Sequence, residues 1–226
     1  MKNLFLTMLL ILSCTTAWAA DVDKGLAAYK AGDFATALTE WKPLAEQGDA
    51  EAQHNLGVIF AQGIGDTKEA VKWYTLAAEQ GYAVAQYNLA LMYVDGKGVI
   101  EDEKEAAKWY TFAAEQGFAQ AQTNLGIMYG NGEGVIEDNK AAVKWIKLAA
   151  EQGHAQAQTM LGAMYAGGKG VIQDNVYAHM WLNIAAVNGL EEALKFKEEL
   201  TELSPDEISS LPYLTSNCIE NNYKDC

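Results

Sequence analysis

The sequence has little cysteine, proline or positive charge, and these shortages exclude several classes of protein. Its 226 residues include three cysteines and three prolines, and all 16 basic residues are lysine. Thirty acidic residues give a formal net charge of −14, which disfavours binding to nucleic acid or to anionic lipid headgroups. Half of the residues are hydrophobic, so the composition is that of a folded protein and not of a disordered one.

The one long hydrophobic run is at the N-terminus. Residues 1–19 contain Lys2, then an apolar run, then a small-residue pattern that ends at Ala19. This pattern is typical of a secretory signal peptide cut between Ala19 and Ala20, although an uncleaved membrane anchor or lipidation at Cys14 are alternatives. The run is too short to cross a bilayer. We therefore expect a periplasmic or secreted mature chain without a membrane span, with 15 lysines against 30 acidic residues and a net charge of −15.

Cysteine usage agrees with export. After the predicted cleavage only Cys218 and Cys226 remain, and they do not form a CxxC redox motif. Two cysteines in an oxidising compartment can pair, so the sequence predicts a disulfide between them, with two free thiols as the alternative. In the chain-entropy model such a short closed loop stabilises the fold by about 2–3 kcal/mol.

A repeated segment dominates the rest of the chain. The motif Ala-Glu-Gln-Gly occurs four times, and a degenerate fifth copy follows. Successive copies are 33, 36, 36 and 36 residues apart. The copies end at Gly48, Gly81, Gly117, Gly153 and Gly189. A fixed period in this range indicates similar units that stack on their neighbours to bury apolar surface that one unit cannot bury alone.

Each unit predicts two helices joined by a glycine-containing loop. In the first helix Leu56, Gly57 and Phe60 fall on one face, and the recurring small residue predicts a very close neighbouring helix. In the second helix a large ring alternates with small residues, as in Trp73 and Ala77, which is the pattern of interlocking helices. Gly-x-Gly loops end the first helices, and candidate N-caps precede the second helices at Asp102, Asp138 and Asp174.

These motifs resemble the Sel1-like repeat family, whose units are 36-residue helix–turn–helix elements related to tetratricopeptide repeats. The resemblance covers residues 45–185 and implies an all-α, right-handed α-solenoid. It divides the chain after the predicted signal peptide into three parts. These are a tetratricopeptide-like capping unit (20–44), four repeats (45–77, 78–113, 114–149 and 150–185) and C-terminal capping helices (186–226). At the C-terminus, Ser204 and Glu207 predict a capping box, and Pro212 predicts a kink or an early end of the last helix.

The sequence offers no motif for catalysis, metal binding or a cofactor. Some secreted relatives are described as penicillin-binding or β-lactamase-like, which makes a hydrolase the alternative function. No serine is followed three residues later by lysine, however, and neither Ser-Asp-Asn nor Lys-Thr-Gly occurs. The three histidines, His54, His154 and His179, lack the i, i+4 spacing of a helical metal site. We predict that the protein is not an enzyme.

The resemblance instead implies a scaffold that binds a protein or peptide of unknown identity. In tetratricopeptide repeats the residue before the Leu-Gly pair often contacts an extended ligand, and an amide there can both donate and accept hydrogen bonds. Hydrogen bonds within the repeats are the alternative role for these amides. The predicted partner-binding residues are Asn55, Asn88, Asn124, Tyr87, His54 and Thr123, with Tyr87 as the aromatic anchor. We expect an adaptor or regulator in the bacterial periplasm, with a structural part in an envelope complex as a third possibility.

Overall fold

The computed structural model describes residues 21–200, 203–224 and 226, and within them the regular structure is entirely helical. The predicted signal peptide, its cleavage at Ala19/Ala20 and the alternative at Cys14 lie outside the described residues. The helices are α1 (Val22–Lys30), α2 (Phe34–Glu46), α3 (Ala50–Val58), α4 (Thr67–Glu79), α5 (Ala83–Asp95), α6 (Glu103–Glu115), α7 (Ala119–Asn131), α8 (Asn139–Ala150), α9 (Ala155–Gly167), α10 (Asn175–Val187), α11 (Glu192–Glu198) and α12 (Pro205–Glu220).

Consecutive helices from α1 to α11 pack on each other, and α12 packs back on α10. Each repeat contributes a first helix (α3, α5, α7 or α9) and a second helix (α4, α6, α8 or α10), and each second helix also contacts the next first helix. The apolar residues accordingly form a row of local clusters and not one central core. This is the expected all-α solenoid.

The small residue after each leucine allows the close approach within a unit. A Cβ atom on Gly57 would lie 2.5 Å from Tyr74, and one on Gly126 would lie 2.7 Å from Ile146. The large side chain that fills this gap is therefore the residue after the tryptophan. Trp73 packs instead against a cluster that contains Trp41 of the preceding unit and Leu56 of its own unit. The tryptophans thus join neighbouring units, and the residues after them join the two helices of one unit.

The loops use two glycines for different reasons. The first ends the helix in the left-handed conformation, as Gly132 does with φ +72°. The second allows contact with the preceding unit, because a Cβ atom on Gly134 would lie 2.1 Å from the carbonyl oxygen of Glu103. The predicted N-caps are present, as shown by Asp138, whose side chain accepts hydrogen bonds from the backbone of Lys140 and Ala141. In the first unit, where the loop is three residues shorter, a π-helical turn over Ile59–Ile64 follows α3.

The C-terminal helices close the stack. The capping box of Ser204 and Glu207 and the disulfide between Cys218 and Cys226 are both present. The early end predicted at Pro212 was wrong, because α12 continues through it to Glu220. Proline leaves the carbonyl of Ile208 without its helical partner, and this residue is exposed, so water can satisfy that carbonyl.

Candidate functional site

The six residues predicted to bind a partner lie on consecutive first helices. They form adjacent pairs on α3, α5 and α7, each directly before a buried leucine. We call the surface formed by α3, α5, α7 and α9 the first-helix face. Five of the six side chains are half-buried, and Thr123 is 1% exposed. The structure therefore brings these residues to one face but does not offer the Thr123 side chain to a ligand.

His54 is the centre of a cluster that links the first two repeats. Its Nε2 lies 3.1 Å from Asn88 Nδ2, and its Nδ1 lies 3.2 Å from Asn55 Oδ1. An amide nitrogen can only donate, so this pattern assigns the imidazole proton to Nδ1. Burial lowers the pKa of His54 below its ordinary value, which favours this neutral form. The rings of Tyr74 and Tyr82 flank the imidazole at centroid distances of 5.8 and 5.3 Å.

A second cluster surrounds Tyr87. Its ring lies 5.7 Å from that of Tyr110 and 5.1 Å from that of Phe118. Asn124 donates from Nδ2 to the Tyr110 hydroxyl oxygen at 2.9 Å, and burial raises the pKa of Tyr110, so the hydroxyl stays protonated. The asparagines thus form hydrogen bonds inside the protein, which is the alternative role predicted for them from the sequence. Their role in partner binding stays a prediction.

Thr123 supports the next unit. Its Oγ1 donates to the carbonyl of Ala119 and lies 2.9 Å from Nδ1 of His154 in the following repeat. Burial lowers the pKa of His154. Since Thr123 already donates to the backbone, it accepts from the imidazole, and the contact ties α7 to the turn before α9. Its role is therefore to position its neighbours.

Between the His54 cluster and the loop of the second repeat lies a depression of about 210 Å³. Its lining includes Tyr74, Asn88, Leu91, Asp95 and Lys97, so it combines aromatic, amide and aliphatic groups. The two charged residues form an ion pair with an N–O distance of 2.8 Å. A depression of this size is smaller than a typical small-molecule pocket and suits one neutral side chain of a peptide.

A row of buried glutamines, which was not predicted from the sequence, lies on the other side of the first helices. Gln122 on α7 is 4% exposed, donates to the carbonyl of Ala114 at 3.0 Å and accepts from Gln152 at 2.7 Å. The same two bonds recur in every repeat, and we call the set the amide ladder. Its buried members are Gln53, Gln86, Gln122 and Gln158, and the side chains that donate to them are Gln80, Gln116, Gln152 and Asn188.

The amide ladder explains the repeated Ala-Glu-Gln-Gly motif. In the second, third and fourth motifs the glutamine donates to the buried glutamine about 30 residues earlier, which links the turn before one first helix to the turn before the next. Gln47 of the first motif donates to the carbonyl of Pro43 instead. At the C-terminal end the Tyr223 hydroxyl donates to Asn188 Oδ1 at 3.0 Å, inside the loop closed by the disulfide. The sequence signal for the ladder is a glutamine that directly follows a buried alanine in every repeat, as Gln122 follows Ala121.

The described residues show neither a metal site nor a membrane helix. Over the part of the chain that the structure covers, no group of three or more His, Cys, Asp or Glu residues is placed to hold a metal ion. None of the helices described combines the length and apolar character that a membrane span requires.

Comparison with known proteins identifies the repeat. The model of the Sel1 repeat matches residues 50–82, 83–118, 119–154 and 155–190, which is more than half of the chain. The chain belongs to the Sel1 repeat family. Sel1 repeat proteins are, in general, non-catalytic scaffolds that mediate protein interactions. No curated protein matches the chain.

Solved structures of Sel1 repeat proteins share the fold. A Sel1 repeat protein from Oxalobacter formigenes is 31% identical, with a TM-score of 0.75, over 87% of this chain and 85% of that chain. A protective antigen present in uropathogenic Escherichia coli strains is 39% identical, with a TM-score of 0.70, over 80% of this chain. The match covers only 40% of that longer antigen. An immunity protein from Pseudomonas aeruginosa is 21% identical with a TM-score of 0.51, which shows the fold alone.

Proposed function

We propose that this Sel1 repeat protein is an exported scaffold that holds a protein or peptide on its first-helix face, as an adaptor or regulator in the bacterial periplasm. The observation that supports this most is the pair of clusters around His54 and Tyr87. They place aromatic rings and amides on consecutive first helices and join them across repeats, so a bound chain would meet a preorganised surface.

The chemistry of this face suits an extended chain. Asn88 has hydrogen-bonding capacity beyond its bond to His54, since an amide side chain has two donors and an acceptor. Asn124 bonds to both Tyr110 and Tyr87. Tyr87 supplies a half-buried ring of the kind enriched at binding hot spots. The depression beside Asn88 takes one side chain. These features favour main-chain contacts with one anchored residue.

Export is part of the same proposal. Residues 1–19 have the pattern of a secretory signal, and the Cys218–Cys226 disulfide fits an oxidising compartment. A fusion of the first 25 residues to a reporter that is active only in the periplasm would test it. Reporter activity supports export, and activity confined to the cytoplasm would contradict it.

Site-specific crosslinking tests the binding face. A photo-crosslinking residue at Gln120, exposed one helical turn before Asn124, should capture a partner from the cell envelope. The same residue at Lys108, exposed on second helix α6, is the matched control and should not capture it. Tyr87→Ala should abolish capture at Gln120, with an unfolding curve showing that the repeats stay folded.

Two results would refute the proposed face. The first is capture of the same partner with equal yield from the control position at Lys108. The second is capture at Gln120 that Tyr87→Ala leaves unchanged.

A further inference from the structure

Three isoleucines stand almost fully in solvent at the same position of successive repeats. Ile100, Ile136 and Ile172 are 89%, 89% and 90% exposed, more than any other large hydrophobic residue among those described. Single exposed apolar residues are ordinary, but three at intervals of 36 residues fall on one edge of the solenoid. We call these three residues the isoleucine row.

The loops that carry the row are held in place by packing. The valine before each isoleucine turns inward, as Val99 and Val135 do against the clusters of their units. On the other side each loop rests on the start of the preceding second helix. Cβ atoms on the second loop glycines would lie 2.1–2.3 Å from backbone oxygens there, at Gly98, Gly134 and Gly170. The isoleucines are exposed by a fixed loop geometry.

Acidic residues flank the row. Glu101 and Asp102 follow Ile100, and Glu137 and Asp138 follow Ile136. Between these two loops lies a depression of about 660 Å³ whose charged lining residues are Glu101, Asp102, Glu103 and Lys104, so acidic groups outnumber basic ones there, and Ile136 lies at the same depression. The aspartates are helix caps, which explains their position, but both glutamates are exposed and make no capping bond. The edge therefore combines apolar side chains with negative charge.

We propose that the isoleucine row docks a cationic amphipathic helix of another protein. Its apolar side would cover the isoleucines, and its lysines or arginines would lie against Glu101 and Glu137. The negative charge of this edge favours a basic helix over the two other partners considered, a membrane and a second copy of the chain. An anionic membrane and a second copy of this chain, with net charge −14, would both bring negative charge to a negative edge. A basic partner gains from the same field, and this surface is separate from the first-helix face.

A helix rises about 1.5 Å per residue, so a partner helix of about 18 residues is about 27 Å long. The partner segment would present apolar residues every three or four positions toward the row.

A synthetic peptide provides the test. The probe is a labelled helix of about 18 leucines and lysines in amphipathic order, with the same residues in scrambled order as its control. Binding to the purified protein is followed by fluorescence anisotropy at physiological salt. Replacing all three isoleucines by serine should weaken binding by about tenfold or more, because their burial is lost. The replaced side chains are exposed, so the unfolding midpoint should not change.

Matched variants separate the apolar and charge contributions. Ile136→Ser should weaken binding, whereas Ile64→Ser should not, since Ile64 is 51% exposed at the end of the π-helical turn and lies outside the row. Glu101→Gln with Glu137→Gln should also weaken binding, while the capping aspartates stay in place. The proposal is overturned if the triple serine variant binds like the wild type, or if the scrambled peptide binds equally well.

Two further measurements test the other occupants. Sedimentation that shows a wild-type dimer and a monomeric triple serine variant would mean that the row joins two copies of the chain. If the wild type floats with phosphatidylglycerol vesicles and the triple serine variant does not, the row binds a membrane. Either result would overturn the proposal, and neither would affect the crosslinking test of the first-helix face.

Discussion

Replacing one buried glutamine of the amide ladder should destabilise the protein far more than replacing an exposed one on the same helix. Gln122→Met keeps the approximate volume but removes the donor to the Ala114 carbonyl and the acceptor for Gln152. Two net hydrogen bonds are worth about 1 kcal/mol each, and the partners left behind add a desolvation cost. The exposed Gln152 can turn to water, so we expect a total loss of about 2–4 kcal/mol.

The control is Gln120→Met, two residues earlier on α7. Gln120 is exposed and no hydrogen bond of its side chain is described, so the loss should stay within about 0.5 kcal/mol. Urea unfolding followed by circular dichroism gives both values. With a slope of about 3 kcal/mol per molar urea, the Gln122 variant should unfold about 1 M earlier. Equal midpoints for the two variants would refute a structural role for the ladder.

A double-mutant cycle tests the pairing itself. Gln122→Met combined with Gln152→Met should destabilise by less than the sum of the two single changes, by about 1 kcal/mol, because both remove the same bond. Additive losses would mean that the two amides do not depend on each other.

Three other predictions concern packing, pH and the disulfide. Gly126→Ala should destabilise by about 1–3 kcal/mol, because its Cβ would lie 2.7 Å from the neighbouring helix, whereas Gly130→Ala, with 3.7 Å of clearance, should stabilise by about 0.5–1 kcal/mol in the same urea assay. Burial lowers the pKa of His54 in the folded protein. The contribution of neutral His54 to stability should therefore be complete above about pH 6.5 and be lost as the pH falls from there toward the folded pKa. The amide resonances of Asn88, measured by NMR, should change over the same pH range, and pH-independent resonances would contradict the prediction. Cys226→Ser should cost about 2–3 kcal/mol, with faster hydrogen exchange confined to α12 and the following turn; unchanged exchange there would mean that the disulfide does not hold the cap.

The sequence predicts the repeat, the helix pairs, the caps at Asp102 and Asp138 and the disulfide, because each depends on spacing or on local backbone chemistry. It does not predict which of two neighbouring residues fills the gap within a unit. Trp73 and Tyr74 point about 100° apart around α4, and the angle between helices decides which one faces Gly57. Periodicity alone leaves that angle open.

The candidate site divides in the same way. Period and alignment bring His54, Tyr87 and Asn88 to one face, but they do not show that Thr123 is buried or that Asn88 bonds to His54. Those facts depend on the neighbouring unit 34 residues away in the chain. The amide ladder was missed for a related reason: glutamine usually lies at the surface, and only the packed neighbour shows that this one is buried.

Hydrogen–deuterium exchange of the protein with and without its captured partner tests the central claim most directly. Binding on the first-helix face predicts slower exchange in α5 and α7, over residues 83–95 and 119–131, with α6 and α8 unchanged. Protection confined to α6 and α8, over residues 103–115 and 139–150, would contradict it.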